Sequence, residues 1–148
     1  MLLQIERDLG GLGLMSPCST YHRFAVGMTG DKMSSSKPES TIFMDDEIES
    51  MERKVKRAIS GGQPTVEEHR RLGGDVSKDV AYQYLQFFFE NDDMALAEVK
   101  SEYESGRMLA GEVKQICIDR ATDWLIDLKQ RRDQMEDSVA DFLAPDAI

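Results

Sequence analysis

From Asp45 onward the apolar residues fall at three- and four-residue steps, which predicts a succession of amphipathic helices. Asp45 or Asp46 can cap a first helix running to about residue 60. Acids lie in its first turn, Arg53, Lys54, Lys56 and Arg57 near its end, and Gly61-Gly62 stop it. Thr65-Val-Glu-Glu68 has capping-box spacing and opens a short helix that closes at Gly73-Gly74. A third helix is predicted over residues 78–90, where Phe87-Phe88-Phe89 carries aromatic rings on several sides and reads as the centre of the core. A fourth covers residues 92–105, with Met94, Leu96, Val99 and Tyr103. The last is long, residues 110–143, striped by Val113, Ile116, Cys117, Ala121, Trp124, Leu125 and Leu128, then Met135, Val139 and Phe142, with Pro145 beyond its end. At 1.5 Å per residue such a helix is about 50 Å long and spans the whole bundle.

The front of the chain follows another pattern. Residues 2–9 read as an amphipathic helix fragment, Gly10, Gly11 and Gly13 punctuate it, and residues 19–27 hold a short strand around Tyr21, Phe24 and Val26. A lone strand has no partner for its backbone groups. Residues 1–44 therefore read as the tail of a larger α/β domain whose earlier part is absent, and residues 45–148 as a helical domain. The expected class is mainly α, a helical bundle preceded by the end of an α/β Rossmann-like domain.

Composition narrows the partners. The 148 residues carry 18 Lys+Arg against 28 Asp+Glu, a formal charge of −10, which disfavours indiscriminate coating of nucleic acid or membrane. Within residues 52–71, however, six Lys/Arg face three acids, a local +3 that is either a solvated helix face or a surface for a nucleic-acid backbone. No apolar run reaches membrane-spanning length, and the start lacks the apolar centre of a signal peptide, so the expected location is the cytoplasm. Cys18 and Cys117 read as free, buried thiols, and with His22 and His69 they show no metal-ligand spacing. His69 reads as a surface or capping histidine, Trp124 as core, and Asp92-Asp93 as a helix start.

The candidate chemistry sits in residues 27–44. Gly27 and Gly30 permit unusual backbone shapes and close approach of a ligand. Lys32 supplies a compact positive charge, Ser34, Ser35 and Ser36 supply hydroxyl donors for phosphate oxygens, and Lys37 adds a second charge. A serine-rich linker would share this composition, and the order of residues favours the loop.

Lys32-Met33-Ser34-Ser35-Ser36 resembles the K-M-S-K-S signature of class I aminoacyl-tRNA synthetases. Three later blocks, residues 67–74 (Glu-Glu-His-Arg-Arg-Leu-Gly-Gly), 84–93 (Tyr-Leu-Gln-Phe-Phe-Phe-Glu-Asn-Asp-Asp) and 105–114 (Ser-Gly-Arg-Met-Leu-Ala-Gly-Glu-Val-Lys), look like the C-terminal part of archaeal and eukaryotic-type tryptophanyl-tRNA synthetases. With the loop, the resemblance runs from Tyr21 to Pro145. It implies an enzyme that activates tryptophan with ATP, releases pyrophosphate and charges tRNA(Trp). Its loop would close over ATP, with Lys32, Ser34 and Ser36 as the catalytic set and Met33, Ser35 and Lys37 beside the phosphates. Phe24, Gly27 and Met28 would lie against the nucleotide. The helical part would bind the anticodon, with Gln63, Glu67 and Arg70 near its bases. Mg2+ is expected on the ATP phosphates, and the full enzyme is expected to be a homodimer.

Two departures from the family pattern bear on activity. Ser35 stands where the general signature has its second lysine, and Lys37 is the candidate replacement. The histidine-rich first signature and the tryptophan pocket are missing, so this portion alone is expected to be inactive. Competing readings are a tyrosyl-tRNA synthetase relative, a stand-alone tRNA-binding paralogue without catalysis, and a helical interaction protein.

Overall fold

The computed structural model describes residues 20, 21 and 25–136. Among them five α-helices follow in the expected order: α1 Ile48–Arg57, α2 Val66–Leu72, α3 Val80–Tyr84, α4 Asp93–Glu104 and α5 Ala110–Glu136. The expected fragment at residues 2–9, the placements of Cys18, His22 and Phe24, and the stretch beyond Glu136 lie outside the described residues. Of the expected strand, Val26 forms an isolated antiparallel bridge with Lys32.

Local chemistry explains the boundaries. Asp46 does not cap α1, because its Oδ2 accepts the Phe43 N–H at 2.9 Å and the Lys54 ammonium at 2.6 Å. The N-cap is Glu47, without a side-chain bond, and the backbone turns extended at Ala58 before the glycines arrive. α2 shows half of the expected capping box: Thr65 Oγ1 accepts the Glu68 N–H at 3.1 Å, while Glu68 Oε2 accepts the Thr65 hydroxyl at 3.2 Å. Gly73 ends it at φ 74°, and a Cβ there would lie 1.8 Å from the Glu104 carbonyl, so both conformation and packing demand glycine. Asp92 caps α4 through the Met94 and Ala95 N–H groups. α3 runs into a π turn, Leu85–Phe89, closed by the Glu90 N–H on the Leu85 carbonyl at 2.9 Å.

α5 is the spine. Its 27 residues extend about 40 Å, and it packs on α1, α3, the π turn and α4. Val113, Cys117, Ala121 and Leu125, the predicted stripe, are fully buried against Met51 and Val55 of α1 and Val80 and Ala81 of α3. Two expectations are corrected here. The phenylalanine run is not the centre of the core: it lies in the π turn, where Phe88 is 48% exposed, Phe87 is half-buried and Phe89 packs against the core from its edge. Trp124 is 37% exposed and meets Phe89 edge-on at 6.0 Å, at the margin of the bundle. The centre belongs to Tyr103, fully buried and seated on Gly74, where a Cβ would fall 2.4 Å from its ring.

One carboxylate, Asp79, joins three segments inside this core. It is wholly buried. Its oxygens accept the Tyr82 N–H at 3.0 Å, capping α3, the Gly61 N–H at 3.1 Å, and the Tyr103 hydroxyl at 2.9 Å. A buried carboxylate persists only when its lone pairs are used in this way. Burial, with a smaller contribution from the Asp79 charge, pushes the Cys117 thiol up to about 12. Burial first and then the neighbouring Asp79 likewise hold the Tyr103 phenol far above its ordinary range.

Replacing Asp79 by Ala strands three buried donors and is expected to cost about 3 kcal/mol in urea unfolding, while Tyr103→Phe costs about 1 kcal/mol. An unchanged urea midpoint in Asp79→Ala would contradict this network.

Candidate functional site: an anchored glycine- and serine-rich loop

The loop of residues 27–40 is closed at its base by backbone bonds. The Met28 N–H donates to the Ser40 carbonyl at 2.9 Å, and the Gly27 N–H donates to the Asp31 carbonyl at 2.7 Å. Gly27 has no room for a side chain, since a Cβ would sit 2.8 Å from the Ser40 carbonyl. Gly30 adopts φ 84° to turn the chain back. The base is fixed to the helices as well: Met28 is 2% exposed within the core cluster, and its carbonyl accepts the Ile59 N–H at 3.1 Å just beyond α1.

The segment leaving the loop is tied down by Lys54. This side chain is 3% exposed, and its ammonium donates to Asp46 Oδ2 at 2.6 Å and to the Thr41 carbonyl at 2.9 Å. The Phe43 ring lies 4.9 Å from the same nitrogen. The amine thus satisfies both a carboxylate and an orphan carbonyl in residues 41–46, leaving that stretch little freedom.

The tip is different. Lys32 is exposed and makes no ion pair among the described residues. Ser35 and Ser36 are exposed, Ser34 is half-buried, and the Ser34 and Ser36 hydroxyls lie 2.9 Å apart with one bonded to the other. Lys37 stands 3.8 Å from Asp31, both well exposed, a pair that solvent largely screens. The tip therefore presents two ammonium groups and a cluster of hydroxyls to solvent, the donor set that an anionic oxygen-rich ligand requires. Met33 turns the other way, into an apolar groove of about 370 Å³ shared with Phe43, Phe88, Phe89 and Trp124.

The second predicted group stands apart. Gln63 Nε2 donates to the Gly73 carbonyl at 3.1 Å, and Arg70 donates to the Gly106 carbonyl at 2.9 Å and to the Arg107 carbonyl. Glu67 is exposed on α2. These contacts run to the end of α2 and to the turn between α4 and α5. His69 is not a surface residue: it is 2% exposed, donates from Nε2 to the Met108 carbonyl at 2.8 Å and accepts the Gln63 N–H on Nδ1 at 3.4 Å. The basic stretch at residues 52–71 is also largely neutralised. Arg53 and Arg57 lie 3.4 and 4.0 Å from Glu39, and Lys56 lies 2.7 Å from Glu52. Among the described residues no three His, Cys, Asp or Glu side chains gather as a metal site, and no helix is long and apolar enough to cross a membrane.

Lys54 and Ser40 are the residues that sequence reasoning missed. A signal for Lys54 was present: it falls on the Met51, Val55, Ala58 stripe at helical spacing, where a charged residue demands a buried partner. Ser40 carried no comparable mark.

With this geometry in place, the comparisons with known proteins are informative. Residues 3–125 match the sequence family described as tRNA synthetases class I (W and Y). The chain belongs to that family of class I synthetases. Its relatives there include the tryptophan–tRNA ligase of Saccharolobus solfataricus, 42% identical over 143 residues, which are 94% of this chain and 38% of that protein. The tryptophan–tRNA ligase of Methanocaldococcus jannaschii is 39% identical over 145 residues, 95% of this chain and 39% of that protein. The crystal structure of tryptophanyl-tRNA synthetase from Aeropyrum pernix superposes with a TM-score of 0.86 at 34% identity, covering 99% of this chain and 41% of that one. The chain thus spans about two fifths of the length of these relatives. The matched stretch runs through residues 44 and 45, where the sequence suggested a boundary.

Because Lys54 satisfies a largely buried carboxylate, Lys54→Met is expected to lower stability by about 3 kcal/mol. Adding Asp46→Asn should recover part of that loss in urea unfolding. A Lys54→Met midpoint equal to that of the parent would contradict the anchoring role.

Proposed function

We propose that this chain supplies the ATP-phosphate loop and a tRNA-binding helical unit of a tryptophan–tRNA ligase. The observation that carries the reading is the contrast within the loop: a base held by backbone bonds and by Lys54, and a tip whose Lys32 makes no ion pair among the described residues and whose Ser34 and Ser36 hydroxyls bond only each other. The relatives' names supply the joining of tryptophan to tRNA, and the resemblance to class I synthetases implies that tryptophan is first activated with ATP. In that reaction negative charge builds on the departing pyrophosphate. Lys32 stabilises it as a compact cation, the Ser34 and Ser36 hydroxyls donate to its oxygens, and Lys37 lends charge from the position after the serines. Lys37 is loosely held by Asp31, so engaging a phosphate costs it little.

On this reading residues 1–44 are the end of an α/β Rossmann-like catalytic domain, with Phe24, Gly27 and Met28 as its nucleotide-binding residues. Residues 45–148 are the helical, anticodon-side part. Mg2+ arrives on the ATP phosphates, the complete enzyme is a homodimer, and its place of action is the cytoplasm. On the anticodon side, Gln63 donates to a carbonyl at the end of α2 and Arg70 to carbonyls in the turn between α4 and α5, which leaves exposed Glu67 as the group with free capacity to read a base edge.

Titration of the 148-residue chain with Mg·ATP, followed by amide chemical shifts, tests the phosphate reading. Shifts are expected at Lys32 and at residues 34–36, with about tenfold weaker binding in Lys32→Ala, the loss of one charge-assisted contact. No perturbation of the tip in the parent, or equal affinity in Lys32→Ala, would overturn it.

A further inference from the structure

Residues 34–37 make a turn that no helix or sheet supports. Its backbone bonds within the turn and the adjoining 3-10 turn Pro38–Ser40 are the Lys37 N–H to the Ser34 carbonyl at 3.1 Å and the Ser40 N–H to the Lys37 carbonyl at 2.9 Å. Something must nevertheless fix which way the Ser34 and Ser36 hydroxyls face. Ser40 is the group placed to do so.

Its side chain is buried, with only 1% of the residue exposed, directly beneath the turn. A hydroxyl has one proton to give and two lone pairs to offer. The proton goes to the Lys37 carbonyl at 2.7 Å, the shortest of its contacts, while Oγ accepts the Ser34 N–H at 3.4 Å. The Ser34 carbonyl, 3.3 Å from the same oxygen, is covered by Thr41 Oγ1 at 3.4 Å. Ser40 thus grips both ends of the four-residue turn with one oxygen. Its own backbone carbonyl meanwhile closes the loop base through the Met28 N–H.

We propose that Ser40 is a positioning residue for phosphate capture: by gripping Ser34 and Lys37 it holds the Ser34 and Ser36 hydroxyls side by side on one face, ready to give both protons to an anion. Unliganded, these two hydroxyls bond to each other at 2.9 Å, so one proton is already committed. A phosphate oxygen displaces that mutual bond and takes both donors, and no chain rearrangement precedes it. Without Ser40 the turn frays and the two hydroxyls must be gathered at the moment of binding. That entropic loss appears as weaker affinity. Ser40 touches no ligand itself. The inference rests on the phosphate reading above and names the residue that preorganises that site.

The division of labour within Ser40 makes a local test available. Its backbone carbonyl serves the base, and its hydroxyl serves the tip, with one long contact to the neighbouring Thr41 hydroxyl at 3.4 Å. Ser40→Ala therefore removes the grip while keeping the anchor. In the 148-residue chain, Ser40→Ala is expected to speed amide exchange at Lys37 and Ser40 at least tenfold, to leave Met28 and Ile59 unchanged, and to weaken Mg·ATP binding about fivefold. Ser40→Thr, which keeps a hydroxyl, is expected to restore both; should it not fold, Ser40→Cys, with its weaker donor, is expected to fall between parent and alanine. Parent-like Mg·ATP affinity in Ser40→Ala overturns the proposal. So does loosening that spreads equally to Met28 and Ile59, which would make Ser40 an ordinary core residue. If the parent itself shows no response of the tip to Mg·ATP, the phosphate reading falls and takes this inference with it, an outcome distinct from either of the others.

Discussion

A buried ammonium, Lys54, is the contact on which the link between loop and helices depends. It has been taken out of water, and an amine in that position is tolerated only when its donors are used. It uses them on Asp46 and the Thr41 carbonyl, both in the segment that leaves the loop. The same constraint recurs throughout the molecule. Helices joined by irregular segments leave carbonyls and N–H groups that no sheet collects, and each must find a partner. Asp79 serves Gly61 and Tyr82, His69 serves Met108 and Gln63, and Lys114 donates to the Lys56 and Ala58 carbonyls at 3.0 and 2.6 Å at the end of α1. Burial holds the Lys114 amine below its ordinary range, against a smaller opposing pull from Asp79. The bundle is organised as much by these polar pins as by its apolar stripe.

That organisation has a functional consequence. The pins to the helices lie at Met28 and Thr41, and the tip between them is held by Ser40 on Ser34 and Lys37, so the loop has a fixed root and a tip that exposes Lys32, Ser35 and Ser36. On the function proposed above, such a loop would have to stay in register with the rest of an enzyme yet yield to a triphosphate, and a fixed root with an exposed tip is compatible with both demands. Charge follows the same division. Much of the basic stretch on α1 is spent on Glu39, Glu52 and Asp46, while Lys32 is unspent. In a chain of net charge −10, an exposed cation with no ion pair beside a second that is only loosely paired favours an anion at that place.

The elements legible in the sequence were those set by local rules. The Thr65 cap, the Asp92 cap, the glycine after Leu72 and the row Val113, Cys117, Ala121 and Leu125 depend on neighbours within a turn or two, and each stands as the spacing predicts. The loop was legible because its residue types carry their chemistry openly. What was not legible depends on contacts distant in sequence. Asp46 looked like a helix cap and instead pairs with Lys54. His69 looked like a surface residue and is consumed by Met108, 39 positions on. The phenylalanine run looked like the deepest core, but a π turn, which composition does not announce, brings it to the rim of a groove. Gln63 and Arg70, the expected neighbours of the anticodon bases, each also donate to a backbone carbonyl at long sequence separation, a contact the sequence does not announce.

The central claim is that the root of the loop belongs to the helical core and its tip does not. Residue-resolved amide hydrogen exchange of the unliganded chain measures this directly. The account predicts that the Met28 and Ile59 amides exchange as slowly as those of Val113 and Cys117, through global unfolding, while Lys32 and residues 35–36 exchange orders of magnitude faster. Fast exchange at Met28 and Ile59, alongside a protected α5, would show that the loop hinges away from the helices as a separate piece and would contradict it.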